Sequence, residues 1–156
     1  MTQIFLPYDP DTVARLRAGG PDAYGNPAER KISTGEGTPC RSCLRDVPAG
    51  QEFLVCAARP FDGLHPYAET GPVFFCADVC TSYAGDGVPP ILQTSPHYLV
   101  KAYDRTDRIM YGTGQITPKA DVATYAARLF ERDGVAYVDI RSARNNCFLT
   151  RIVQTP

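Results

Sequence analysis

Apolar and polar positions change rhythm along this chain. From Val135 to Arg141 they alternate, with Ala136, Val138 and Ile140 on one face of a strand and Tyr137, Asp139 and Arg141 on the other. Ala143-Arg-Asn-Asn146 then reads as a hairpin turn into a strand over Cys147–Val153. Before it, Val122, Tyr125, Ala126, Leu129 and Phe130 recur at helical spacing, with Thr117 as cap, Pro118 in the first turn and Gly134 as stop. Further strands are predicted at Gln51–Arg59, Val73–Cys76, His97–Tyr103 and Arg108–Ile116, with a second hairpin turning at Asp104–Asp107. Asp9 followed by Pro10, with Gly19-Gly20 beyond, predicts a first helix over Pro10–Ala18 that follows a short apolar segment at Ile4–Leu6.

Strand pairs joined by tight turns favour an antiparallel sheet, so the predicted class is α+β with two helices. Eleven of the fourteen prolines precede residue 91, which makes that half loop-rich, wrapped on the sheet or extending it. No repeat or linker divides the 156 residues, and a single domain over 1–156 is expected, with a metal knuckle formed by 39–81.

The composition, 44% hydrophobic and 21% charged, is that of a globular chain long enough to bury a core without disulfide staples. Sixteen basic against seventeen acidic residues is too even a balance for a protein whose work is neutralising phosphates, so no nucleic-acid partner is expected. The longest apolar run, Phe53 to Ala58, is far below the ~20 residues of a membrane-spanning helix, and the N-terminus lacks a basic leader. The expected location is the cytoplasm, where the six cysteines stay reduced.

Cys40-Arg-Ser-Cys43 and Cys76-Ala-Asp-Val-Cys80 place two close thiol pairs within reach of one tetrahedral ion. Two residues between cysteines let a tight turn aim both sulfurs at one centre, and the second pair could leave a strand end as the chain enters a helical turn. Zinc or iron suits four thiolates, and a closed site of this kind is structural. Leu44 stands where such knuckles usually carry glycine. The alternatives are buried thiols or a redox pair at Cys40 and Cys43, while Cys56, inside an apolar run, reads as core.

Other chemistry clusters at the last hairpin. Arg141 and Asn145, with Glu69 from the loop Tyr67-Ala-Glu-Thr-Gly71, could bind a small anionic molecule. The plainer alternatives are a surface ion pair between Arg141 and Asp139, a solvated Glu69 and an Asn-Asn turn. A small enzyme is the rival class, with Cys147 as nucleophile, His97 as base and Arg141 as anion clamp. His65 and His97 each also read as ordinary surface or core histidines. No phosphate loop, nucleophile elbow, dinucleotide fingerprint or zinc-protease helix occurs.

The blocks Pro39-Cys-Arg-Ser-Cys-Leu-Arg-Asp46, Arg59-Pro-Phe61, Pro66-Tyr-Ala-Glu-Thr-Gly-Pro72, Tyr103-Asp104, and Arg141-Ser142 with Cys147-Phe148 resemble the bacterial family known as domain of unknown function 1203. The resemblance spans most of residues 10–153. It implies no particular activity, and it implies histidine as a frequent occupant of the Cys76 position, which would change the type of ligand and keep its role. Taken together, the sequence leads to a cytoplasmic binding or interaction module with a structural metal, whose partner is a protein or a small anion.

Overall fold

The chain order is β1 (Thr2–Leu6), α1 (Pro10–Arg17), β2 (Glu29–Ile32), β3 (Pro39–Cys40), β4 (Arg45–Asp46), β5 (Glu52–Ala58), β6 (Gly71–Cys76), β7 (His97–Tyr103), β8 (Gln115–Pro118), α2 (Val122–Phe130), β9 (Tyr137–Ser142) and β10 (Phe148–Thr155). The computed structural model describes residues 1–85 and 87–156. These strands form two five-stranded sheets, β1-β10-β9-β7-β8 and β2-β5-β6-β3-β4. Among the described residues all strand pairings are antiparallel except that of β3 with β6. The class is therefore α+β, mainly antiparallel, with two helices. The proline-rich half does not merely wrap or extend one sheet; it builds a second one.

Each helix covers one sheet. The α1 helix starts where the Asp9 carboxylate accepts from Thr12 N–H at 3.0 Å and Pro10 opens the first turn, and it buries Val13 and Leu16 among Phe53, Val73 and Phe75. The α2 helix buries Val122, Ala126 and Leu129 against Val100, Ala102, Val138 and Ile140 of the first sheet.

Two predicted elements shift. Thr117 and Pro118 end β8, the Thr117 hydroxyl donates to the Gln115 carbonyl, and a 3₁₀ turn over Lys119–Asp121 precedes α2, so Thr117 is not its cap. The predicted strand Arg108–Ile116 is mostly a turn. Gly112 sits at φ +85°, outside the reach of a regular strand, and the Thr113 hydroxyl bonds Met110 C=O and Ala102 N–H in place of a ladder. Only its end, Gln115 and Ile116, enters β8.

The largest departure concerns β9. Tyr137, Asp139 and Arg141 share a face with Lys101 and Tyr103 of β7 and with Arg151 of β10, through the pairs Tyr103↔Tyr137, Lys101↔Asp139 and Arg151↔Asp139. That face is not solvated. The connection between β5 and β6 lies over it: the Pro60 carbonyl accepts from Arg151, Phe61 packs on Tyr103, and Glu69 meets Lys101 and Arg141. Asp139 is consequently 0% exposed and pairs with Arg151 at 2.7 Å, so the predicted Arg141–Asp139 surface ion pair does not form.

Candidate functional site

The two cysteine pairs meet where the second sheet ends. Cys40 closes β3, Cys76 closes β6, and the parallel pairing Cys40↔Phe74 sets the two strand ends side by side. All four sulfurs of Cys40, Cys43, Cys76 and Cys80 lie within 4.8 Å of one another, with Cys40–Cys80 at 3.9 Å and Cys43–Cys76 at 4.0 Å. Four thiolates about 2.3 Å from a tetrahedral ion stand about 3.8 Å apart, so the cluster has room for one ion at its centre. No disulfide joins any of the six cysteines.

The local backbone explains the convergence. After Cys40 the chain turns so that Leu44 N–H donates to Cys40 C=O at 2.9 Å, and Ser42 N–H and Cys76 N–H both point at Cys40 Sγ, at 3.4 and 3.2 Å. Such donors stabilise a thiolate. The turn requires a left-handed residue, and Leu44 supplies it at φ +54° despite its side chain. Burial offsets that strain. Leu44 is fully enclosed in the core of the other sheet, beside Ile91, Leu92 and Tyr98.

The helical turn expected at Cys76–Cys80 is absent; residues 77–80 bend irregularly. Cys80 is placed instead by Arg17, at the end of α1, whose Nε donates to Cys76 C=O at 3.0 Å and whose Nη2 donates to Cys80 Sγ at 3.1 Å. The thiols share protons unequally: hydrogen bonds from Cys43 and then Cys76 draw Cys40 down to about 6, those from Cys40 first hold Cys80 low, and Cys43 and Cys76 are pushed up by Cys40. Cys40 and Cys80 are thus the thiols disposed to ionise, while Cys43 and Cys76 are held in the protonated form.

Arg41, between the first two clustered cysteines, joins this region to the first sheet. Its Nε donates to Phe148 C=O at 2.7 Å and its Nη1 to Pro39 C=O at 2.6 Å, and burial pulls its pKa down to about 10. Cys56 is core, 4% exposed, and its thiol points to Val73 C=O.

At the last hairpin, Asn146 takes the left-handed turn position at φ +58°, and Ser142 N–H bonds Cys147 C=O. A cavity of about 380 Å³ opens there, lined by Glu69, Thr70, Gly71, Pro72, Arg141, Asn145, Asn146 and Cys147. Glu69 is no solvated turn residue: its carboxylate takes Arg141 Nη2 at 2.8 Å and Lys101 Nζ at 3.4 Å. Arg141 is 5% exposed, spends Nε on Asn146 O and Oδ1, and keeps Nη1 buried with no partner among the described residues. The Tyr103 hydroxyl is likewise buried and unpartnered, and burial, then the Asp139 charge, raises its pKa.

His97 is exposed at the start of β7, and among the described residues no hydrogen bond joins it to Cys147, whose thiol points to Asn145 C=O. His65 Nδ1 accepts from Tyr67 N–H. Sequence reasoning missed Arg17, Lys101 and Arg151. Only Lys101 carried a local signal, as a lone charge inside the apolar strand His97–Tyr103.

Among the described residues no helix is long and apolar enough to cross a membrane. No curated protein and no solved structure matches the chain. Residues 37–154, which hold all four clustered cysteines and the whole hairpin cavity, match the family described as Protein of unknown function (DUF1203), and the chain belongs to that family.

Proposed function

We propose that this chain is a cytoplasmic binding module whose second sheet is held by a structural zinc ion at Cys40, Cys43, Cys76 and Cys80, and whose hairpin cavity takes a small anionic molecule. The observation that carries the first part is the approach of four sulfurs to within 4.8 Å across 41 positions of sequence, from Cys40 to Cys80. Buried free cysteines that merely pack have no reason to gather at tetrahedral edge lengths with two backbone N–H groups aimed at one sulfur. With four protein ligands the ion has no open position for water, so its work is to close the loop and hold β3 against β6. Elemental analysis of untagged protein tests this directly: one equivalent of zinc is expected, and absence of any stoichiometric metal overturns it.

The ligand half rests on Arg141. A buried guanidinium nitrogen without a partner among the described residues, beside Lys101 and opposed by the partly exposed Glu69 while Asp139 is taken by Arg151, leaves cationic donors in excess. Calorimetric titration with benzoate and inorganic phosphate is the corresponding test. Binding that Arg141→Lys weakens supports the reading, and heat-silent titrations with both overturn it.

Cys147 lines the same cavity, which supports the second reading, a thiol nucleophile acting beside a bound anion. Rapid alkylation of Cys147 by iodoacetamide at neutral pH, ahead of the other five cysteines and slowed by a bound anion, favours that reading; an inert Cys147 removes it.

A further inference from the structure

A second cavity, of about 390 Å³, shares no lining residue with the hairpin cavity and is built chiefly from Tyr8, Arg59, Phe61, Asp62, Phe148 and Arg151. Its two guanidiniums differ in status. Arg151 is committed: Nε and Nη2 hold Asp139, Nη2 also meets Pro60 C=O, and the guanidinium stacks 3.7 Å over the Tyr137 ring. Arg59 is uncommitted. It forms no hydrogen bond or ion pair among the described residues, and its Nε is buried without an acceptor. A buried cationic donor left unmade is costly, so such a group marks a place for an oxyanion.

Tyr8 adds a second donor. Its hydroxyl bonds nothing among the described residues and lies in the field of both Arg151 and Arg59, while its ring packs edge-on against Phe148. Tyr8, Phe61 and Phe148 together give the cavity aromatic walls that suit a flat apolar body.

The acidic groups decide the charge type. Asp9, Asp62 and Asp107 also line the cavity, so its fixed charge is not cationic. Asp9 is occupied by Thr12 and Asp107 by the Tyr137 hydroxyl, whereas Asp62 is exposed and has no partner among the described residues. A multiply charged anion such as phosphate would meet these carboxylates. A ligand carrying one carboxylate and its own ammonium would satisfy both the unpaired arginine and the unpaired aspartate.

We propose that this cavity binds a zwitterionic α-amino acid with an aromatic side chain, its carboxylate on Arg59 and the Tyr8 hydroxyl, its ammonium on Asp62 and its ring against Phe61 and Phe148. No residue of this site belongs to the metal centre or to the hairpin cavity.

The experiment is a heteronuclear NMR titration of the full chain with L-phenylalanine, 3-phenylpropanoate, phenethylamine and inorganic phosphate. L-Phenylalanine is expected to shift the amides of Tyr8, Arg59, Phe61 and Asp62. It should bind at least about tenfold more tightly than the two analogues that each lack one charged group, the difference that one charge-assisted hydrogen bond makes. Arg59→Ala should weaken it by at least about tenfold with an unchanged thermal midpoint, because Arg59 has no partner to lose. Asp62→Asn should bring L-phenylalanine and 3-phenylpropanoate to equal affinity. Absence of shifts at these amides, equal binding of 3-phenylpropanoate or phosphate by the wild-type chain, or full affinity in Arg59→Ala overturns the proposal.

Discussion

Arg17 Nη2 donates to Cys80 Sγ at 3.1 Å, across 63 positions of sequence, while the same guanidinium holds the Cys76 carbonyl through Nε. One side chain on α1 thus fixes both members of the second cysteine pair, which no helical turn presents. Four thiolates around a divalent ion carry a net charge of about −2, and a guanidinium against the outermost sulfur offsets part of it. Arg17→Ala should lower zinc affinity roughly 10- to 100-fold, the range seen for lost outer-shell partners. Competition against a chromophoric chelator measures this, and an unchanged affinity would show that Arg17 only caps Cys76.

Removing the ion should loosen the second sheet first. Its core, Val13, Leu16, Phe53, Leu54, Val73 and Phe75 with the cysteines themselves, is separate from the larger core under α2. Hydrogen exchange after chelation is expected to accelerate in β3, β4 and β6 while β7, β9 and the middle of β10 stay protected. Acidification should act in the same direction, because protons compete with the metal for thiolates. Uniform acceleration over both sheets would instead mean that they unfold as one unit.

Leu44 tests how the knuckle is held to the rest of the molecule. Leu44→Gly relieves about 1–2 kcal/mol of left-handed strain but forfeits a fully buried leucine, a loss of about 3–5 kcal/mol. Net destabilisation of about 1–4 kcal/mol is expected by denaturant melts, and Leu44→Ala, which keeps the strain, should cost more. A stabilised Leu44→Gly would mean that the turn, not the core contact, dominates.

The cysteine spacing was legible because ligand geometry acts over a few residues, whereas the position of Arg17 depends on how α1 docks and leaves no local trace. Strand His97–Tyr103 and the turn before Cys147 were legible for the same local reasons, hydrophobic period and turn chemistry. The β2, β3 and β4 strands were not: β3 and β4 are two residues each, too short to show a period, and β2 is exposed throughout. Alternation on Val135–Arg141 correctly separated two faces but not their environments, because the covering segment, Arg59–Thr70, arrives from the other sheet. A polar face in sequence became a buried ionic layer in the fold.

That layer predicts an asymmetry between breaking and replacing. Asp139 is fully enclosed, and burial raises its pKa against the pull of Arg151. Asp139→Ala leaves the Arg151 guanidinium buried without its counter-charge and should cost about 3–5 kcal/mol. Replacing both, Asp139→Leu with Arg151→Met, should recover much of that loss, since two buried charges are removed together. Chemical denaturation of the two variants and the wild type closes the comparison; equal losses would mean that packing rather than charge sets the cost.

Glu69 is the residue through which the hairpin cavity can be tested without dismantling it. Its two oxygens divide between Arg141 and Lys101, so any anion entering the cavity competes with this carboxylate for the same guanidinium. Neutralising it removes the carboxylate paired with Arg141, a 5% exposed cation that lines the cavity. Glu69→Gln keeps the shape of the side chain and should therefore tighten benzoate binding by roughly tenfold or more, the weight of one charge-assisted contact, with a small loss of stability. Arg141→Ala should abolish binding and also destabilise the fold, because the guanidinium additionally holds Asn146 O and Oδ1 in the turn. The two variants thus move affinity in opposite directions while both lower stability. Calorimetry that finds benzoate affinity reduced in Glu69→Gln would show the carboxylate to be part of the binding surface rather than its competitor, and the anion site would have to be given up.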